Sequence, residues 1–211
     1  MKNKKAEIVL TTLICLLPML AGIALYRRLP QQVPTHFDFN GTANGWSSKS
    51  FAVFGLPLMM AGFNLFLQFA LRTDPKRQNM NTVLRSISVW IIPVLSVLVY
   101  ALVMRAGLGY ATPVETIVPV LIGILFVIIG NYLPKTKQSY TMGIKLPWTL
   151  ASEENWNRTH RLAGFLWVIG GILLILLTLL KLWNTWTFLL VVIPMSVVPM
   201  IYSYLLYRKG I

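Results

Sequence analysis

Acidic residues are the scarcest chemistry in this chain: six Asp and Glu stand against 19 Lys and Arg, a formal net charge of +13. Charge of either sign is also rare, at 12% of residues, where a soluble domain carries about 25%. A single cysteine, Cys15, excludes a disulfide within the chain and any metal site built on thiolates. Two histidines, His36 and His160, are too few for a histidine metal centre. The apolar runs contain no ionisable residue near their middle, which disfavours ion pumps and proton-coupled transporters. Long polar stretches are missing too. Between the first and last apolar runs the chain never goes more than about 30 residues without another, so nothing remains for a soluble domain of ordinary size.

What is present is hydrophobicity. Apolar residues make up 56% of the chain and mean hydropathy is +0.66. A helix needs roughly 20 apolar residues to cross about 30 Å of hydrocarbon. The spans expected on that basis are residues 7–26, 50–71, 82–104, 114–133, 162–181 and 187–207. The fold class is therefore all-α: a polytopic membrane bundle of six transmembrane helices. Two modules are expected, residues 1–81 with a loop at 29–49, and residues 82–211 with a loop at 134–161.

The basic residues report orientation. With the N-terminus in the cytoplasm, fourteen of the 19 fall inside, and only Arg27, Arg28, Lys49, Arg105 and Lys181 fall outside. Both termini are then cytoplasmic, the 29–49 loop is extracytoplasmic, and the 134–161 loop is cytoplasmic. Scattered over loop ends, these charges do not form the basic face that direct nucleic-acid binding needs. The first run also resembles a secretory signal, but it is long and lacks a small-x-small cleavage triplet, which favours an uncleaved span.

Within the spans, Asn64 and Gln68 lie four apart on one helix face, a spacing suited to interhelical hydrogen bonds or, less often, to a ligand. Prolines 18, 57, 93, 119, 194 and 199 each remove a backbone donor. Gly164, Gly170 and Gly171 favour close helix approach.

Two loops hold the unusual residues. In the first, Val33, Thr35, Phe37 and Phe39 alternate with Pro34, His36 and Asp38, a strand period. Asn40-Gly41 and Asn44-Gly45 are both turn signals. A small structured cap is expected, with Trp46 and the two Phe residues at headgroup level. His36 and Asp38 would share one side of the strand as two potential metal ligands, against the simpler reading that His36 hydrogen-bonds within the cap. Neither a metal nor any other cofactor is expected.

In the second loop, Ser152 reads as an N-cap, followed by Glu153 and Glu154 in a first helical turn. The helix it starts is expected to lie at the interface, to run straight into the fifth span and to be anchored there by Trp148 and Trp156. Arg158 and Arg161 would face the headgroups. Whether the exposed cations serve a protein partner or only anionic membrane lipids is left open by the residues.

At these loops the chain resembles the SdpI-type bacterial immunity proteins. The first loop carries Leu29-Pro30, Pro34-Thr35-His36, Asn40-Gly41 and Lys49; the second carries Gly143 to Leu150, with Pro147-Trp148-Thr149-Leu150, then Glu153, Glu154, Trp156, Arg158, His160 and Arg161. Lys145 stands where the family has Arg, and Leu146 where Thr is common, which weighs against a bidentate guanidinium role there. The resemblance implies protection against a secreted membrane-active peptide toxin and a link to a cytoplasmic transcriptional repressor. It makes His36, Phe37, Asp38, Asn40 and Gly41 the toxin-facing candidates, and Lys145, Pro147, Trp148, Trp156, Arg158 and Arg161 the candidates for cytoplasmic partner or lipid contact. The alternative is a small-molecule or lipid transporter. An enzyme is disfavoured, since no nucleophile, base and orienting group share one membrane face.

Overall fold

A computed structural model describes residues 2–211, with side chains from Lys5 onward. Among the described residues, six helices are long and apolar enough to cross a membrane: Lys5–Leu25, Phe51–Thr73, Thr82–Gly107, Val114–Lys135, Glu153–Leu179 and Thr185–Arg208. The protein is an all-α polytopic membrane protein whose only sheet among the described residues is one hairpin. Large apolar side chains such as Phe66, Phe165 and Leu190 stay exposed along the spans, as a lipid-facing surface requires.

Packing divides the chain into two compact units, residues 1–72 with 86–114, and residues 73–85 with 115–211. The third span thus packs with the first two, whereas the expected module boundary after residue 81 follows the sequence motifs.

In the first unit, α1 (Lys2–Leu16) and α2 (Pro18–Leu25) form the first span, separated where Pro18 lacks an N–H. The second span opens with a π-helical turn, Phe51–Gly55, and continues as α3 (Leu56–Thr73); α4 (Thr82–Gly107) is the third. Asn64 and Gln68 on α3 both donate to Thr11 Oγ1 on α1, at 3.2 and 2.6 Å, and Thr11 donates to the Glu7 carbonyl. All three side chains are buried, so their pairing avoids the several kcal/mol, roughly, of an unsatisfied amide in hydrocarbon. The helical spacing of Asn64 and Gln68 is therefore a packing signal.

The hairpin joins β1 (Gln32–Phe37) to antiparallel β2 (Ala43–Ser48). It is seated by Val33, fully buried in a cluster with Leu29, Ala52, Val53, Tyr100, Val103 and Met104. Gly107, at the end of α4, leaves room for it, since a Cβ there would lie 2.9 Å from Val33.

The second unit contains α5 (Val114–Tyr132), the short α6 (Pro147–Ala151), α7 (Glu153–Leu179) and α8 (Thr185–Arg208). Gly130 faces Gly164 and Gly123 faces Gly171, each backbone so close that a Cβ would meet the opposite carbonyl at 2.5–2.8 Å. Two glycine pairs at the same spacing on α5 and α7 thus form a close seam. Ser152 caps α7, accepting from the Asn155 N–H, with Glu153 and Glu154 in the first turn. As expected, α7 runs unbroken from the loop into the fifth span, so its helix begins nine residues before the apolar run does.

Candidate functional site

Only one of the two Asn-Gly pairs in the hairpin makes the turn. Gly41 sits at φ +78°, and Asp38 closes the turn by accepting from the Asn40 and Thr42 N–H groups, both at 2.9 Å. Asn44-Gly45 lies inside β2 instead, beside a register shift opposite His36. The reason is steric: a Cβ at position 45 would lie 2.9 Å from the His36 Cβ. His36 Nδ1 lies 2.5 Å from Asn44 Oδ1, so that nitrogen carries the proton. Asp38 is occupied by the turn and does not join His36.

Of the five toxin-facing candidates, His36 and Asn40 are exposed, while Phe37 and Gly41 are half-buried and Asp38 holds the turn. Sequence reasoning missed Asn44 as the partner of His36. Trp46, expected as an interfacial anchor, is 57% exposed and gives the hairpin an aromatic outward face.

The second loop folds around two rings. Trp156 and His160, one turn apart on α7, stack at 3.9 Å between centroids and 20° between planes. Trp156 Nε1–H donates to the Thr136 carbonyl at 2.9 Å, and His160 Nδ1–H donates to the Trp156 carbonyl at 2.8 Å. His160 Nε2 accepts from the Ile144 N–H at 2.9 Å, so both ring nitrogens are committed and the imidazole is neutral. Gly143, at φ +104°, lies against both rings. The expectation of Trp156 as an interfacial anchor is corrected here: it is fully buried, as is His160, because α6 and residues 136–146 cover that face of α7.

The Pro-Trp-Thr-Leu run has a local logic. Pro147 begins α6, where its missing N–H costs nothing. Thr149 Oγ1 accepts from the Leu146 N–H and lies 2.9 Å from the Ile144 carbonyl, tying the helix back to the Gly143-Ile144 segment. Trp148 stacks on Tyr207 of α8, with centroids 5.7 Å apart, and meets Tyr204 edge-on. Asn155 accepts from Ser203 Oγ at 2.7 Å and donates to the Ser203 carbonyl, fixing the start of α7 beside the end of α8.

A second anchor comes from the loop before the third span and was not foreseen. Asp74 is nearly buried; its Oδ2 accepts from Ser139 Oγ at 2.7 Å and from the Thr141 N–H at 2.8 Å, and its Oδ1 accepts from the Lys76 N–H. Burial alone would raise its pKa, but the hydrogen bonds outweigh it and hold the carboxyl below its ordinary value. Gln138 adds a hub, donating to the Thr149 and Leu150 carbonyls while accepting from Lys76 Nζ at 3.0 Å. Two loops separated by two crossings thus meet, as an alternating arrangement of spans demands.

The cationic candidates remain on the outside. Lys145, Arg158 and Arg161 are exposed, Pro147 is exposed, and Arg158 pairs with Glu154 at 2.5 Å on the surface of α7. Arg158 and Arg161 line a cleft of about 700 Å³ with Leu162, Phe165 and Tyr202.

Both loops fall within segments shared with known proteins. Residues 135–203 match the SdpI/YfhL protein family, and residues 13–61 match a domain of unknown function (DUF1648). No solved structure matches the chain. The Immunity protein SdpI of Bacillus subtilis (strain 168) is 28% identical over 174 residues, covering 82% of each chain. The shared segments contain the hairpin and the Trp156-His160 knot, so both structured loops lie in what the chain has in common with these proteins.

Proposed function

We propose that this protein is a non-enzymatic membrane immunity protein that protects its cell against a secreted, membrane-active peptide toxin. The observation that carries this reading is its similarity, over most of both chains, to a relative named as an immunity protein. The hairpin supports it. Ordering a loop costs about 1–2 kcal/mol per residue in backbone entropy, which a mere connector need not incur. Here Val33 seats the hairpin and the His36–Asn44 bond stiffens it, leaving Trp46, His36 and Asn40 outward. With the N-terminus cytoplasmic, this face meets toxin from outside. The opposite loop then lies inside, where the exposed Lys145 offers a contact for a soluble repressor.

The test is survival of a sensitive bacterium expressing the protein, challenged with culture supernatant of its source strain. Wild type protects, while Trp46→Ala and His36→Ala/Asn44→Ala reach the membrane at normal level and protect less. Full protection by both variants at equal expression would remove the hairpin from toxin recognition. Co-purification from toxin-treated cells checks the inner contact: Lys145→Glu is expected to lose a soluble partner that wild type retains.

A further inference from the structure

We infer that the cleft between the start of α7 and the end of α8 is a binding site for an anionic phospholipid, whose phosphate is held by Arg158 and Arg161. Three observations converge on it. The two guanidiniums lie three residues apart on one helix, so they project over the same opening, and both line the cleft. The remaining lining changes character along the helix: Leu162 and Phe165 follow directly, and Phe165 is 63% exposed. One end of the cleft is thus cationic and the other apolar, the order of a headgroup and an acyl chain. Position agrees, because residues 153–161 are the polar start of α7 and an apolar run begins at Leu162.

The two walls of the cleft are joined by a buried contact between α7 and α8. Asn155 binds Ser203, so Tyr202 on α8 is held across the opening from α7. Glu154 holds one Arg158 nitrogen in an exposed pair, which leaves the other donors of that guanidinium and those of Arg161 for a phosphate. Arg208 and Lys209 lie at the same end of α8 and add positive potential without lining the cleft. The cleft is wide and open, about 700 Å³, which leaves room for a glycerophosphate headgroup with the upper part of a chain lying along the helix. A soluble acidic protein would satisfy the arginines but would place Phe165 and Leu162 against its own charged surface.

Thermal unfolding of the detergent-purified protein, titrated with phosphatidylglycerol, phosphatidylcholine, glycerol phosphate or inorganic phosphate, tests the inference. Phosphatidylglycerol is expected to stabilise wild type at lower concentration than the other three. Each cation beside a membrane contributes about five-fold in affinity, so Arg158→Gln/Arg161→Gln should weaken the phosphatidylglycerol response roughly 25-fold. Arg208→Gln/Lys209→Gln, outside the cleft, should change it by less than the cleft pair does. Phe165→Ala should weaken the lipid response and leave that to glycerol phosphate unchanged. An equal phosphatidylglycerol response in wild type and the Arg158/Arg161 variant overturns the site. So does inorganic phosphate reproducing the full effect, which would mean a plain anion site. Should the cleft variant unfold in detergent, co-purified lipid measured on the milder single variant Arg161→Gln decides in its place: unchanged phosphatidylglycerol content refutes the inference.

Discussion

Replacing Gly143 by alanine tests the account of the inner loop at its tightest point. Gly143 has φ +104°, which an L-residue adopts at a cost of about 1–2 kcal/mol. The new methyl would also lie 2.5 Å from His160 Nε2 and 2.8 Å from the Trp156 ring. Neither ring can easily retreat, because Trp156 is tied to Thr136, His160 to the Trp156 carbonyl, and both are fully buried. The segment must lift instead, and the Ile144 N–H loses its acceptor at roughly 1–3 kcal/mol. Gly109 supplies the control: its φ is +82°, but nothing lies within 4 Å of a Cβ there, so Gly109→Ala incurs the backbone cost alone. At about 2–4 °C per kcal/mol for a chain of this size, Gly143→Ala should melt roughly 2–12 °C below Gly109→Ala in detergent. A double-mutant cycle sharpens this, since His160→Ala opens the space and should shrink the Gly143→Ala penalty. Equal melting of the two glycine variants, or full additivity with His160→Ala, would refute the packing argument.

Two further outcomes follow from the loops. Asp74→Asn should cost about 1–3 kcal/mol at neutral pH, because an amide has a single acceptor oxygen and its NH2 would face either the Lys76 N–H or the Ser139 and Thr141 donors. The folded carboxyl titrates below its unfolded value near 3.9, so its contribution is complete above about pH 5 and fades as pH falls through the folded pKa. The gap between wild type and Asp74→Asn in melting scans should therefore stay constant from pH 8 to 5 and close below about pH 4; a gap that closes above pH 5 contradicts the assignment. In a Cys15→Ser background, Asn40→Cys should react with an impermeant thiol reagent on intact cells and Lys137→Cys, also exposed but on the other loop, should not. The reverse labelling would invert the membrane orientation.

Hydropathy located all six spans because lipid contact depends on each residue separately, and the Ser152 cap was legible because its acceptor lies three residues away. What stayed hidden depends on distant partners. Asn44-Gly45 carries the turn signal of Asn40-Gly41, and only the His36 side chain across the hairpin explains why that glycine belongs to a strand. Asp74 gives no local sign that Ser139 and Thr141 will meet it. The burial of Trp156 and His160 did leave a trace. Asn155, Trp156, Thr159, His160 and Ala163 are all buried and recur at helical spacing, continuing the inner face of the fifth span upstream of Leu162. A hydropathy scale misses this stripe because Asn, Thr and His score as polar while serving as core.

The same accounting of polar groups bears on the choice between immunity and transport. A translocation route needs polar side chains turned toward a water-filled path. Here the span interiors use theirs on one another or on the backbone: Thr11 with Asn64 and Gln68, Ser96 with the Cys15 carbonyl, Thr178 with the Leu174 carbonyl, and Ser203 with Asn155. On the α5–α7 seam, glycine pairs bring the backbones so close that no side chain fits between them. Chemistry that could recognise a ligand is thereby concentrated at the helix ends, in the aromatic outward face of the hairpin and in the arginine cleft beside α8. A protein that acts by binding at the ends of its spans accounts for this distribution better than one that moves a solute along them.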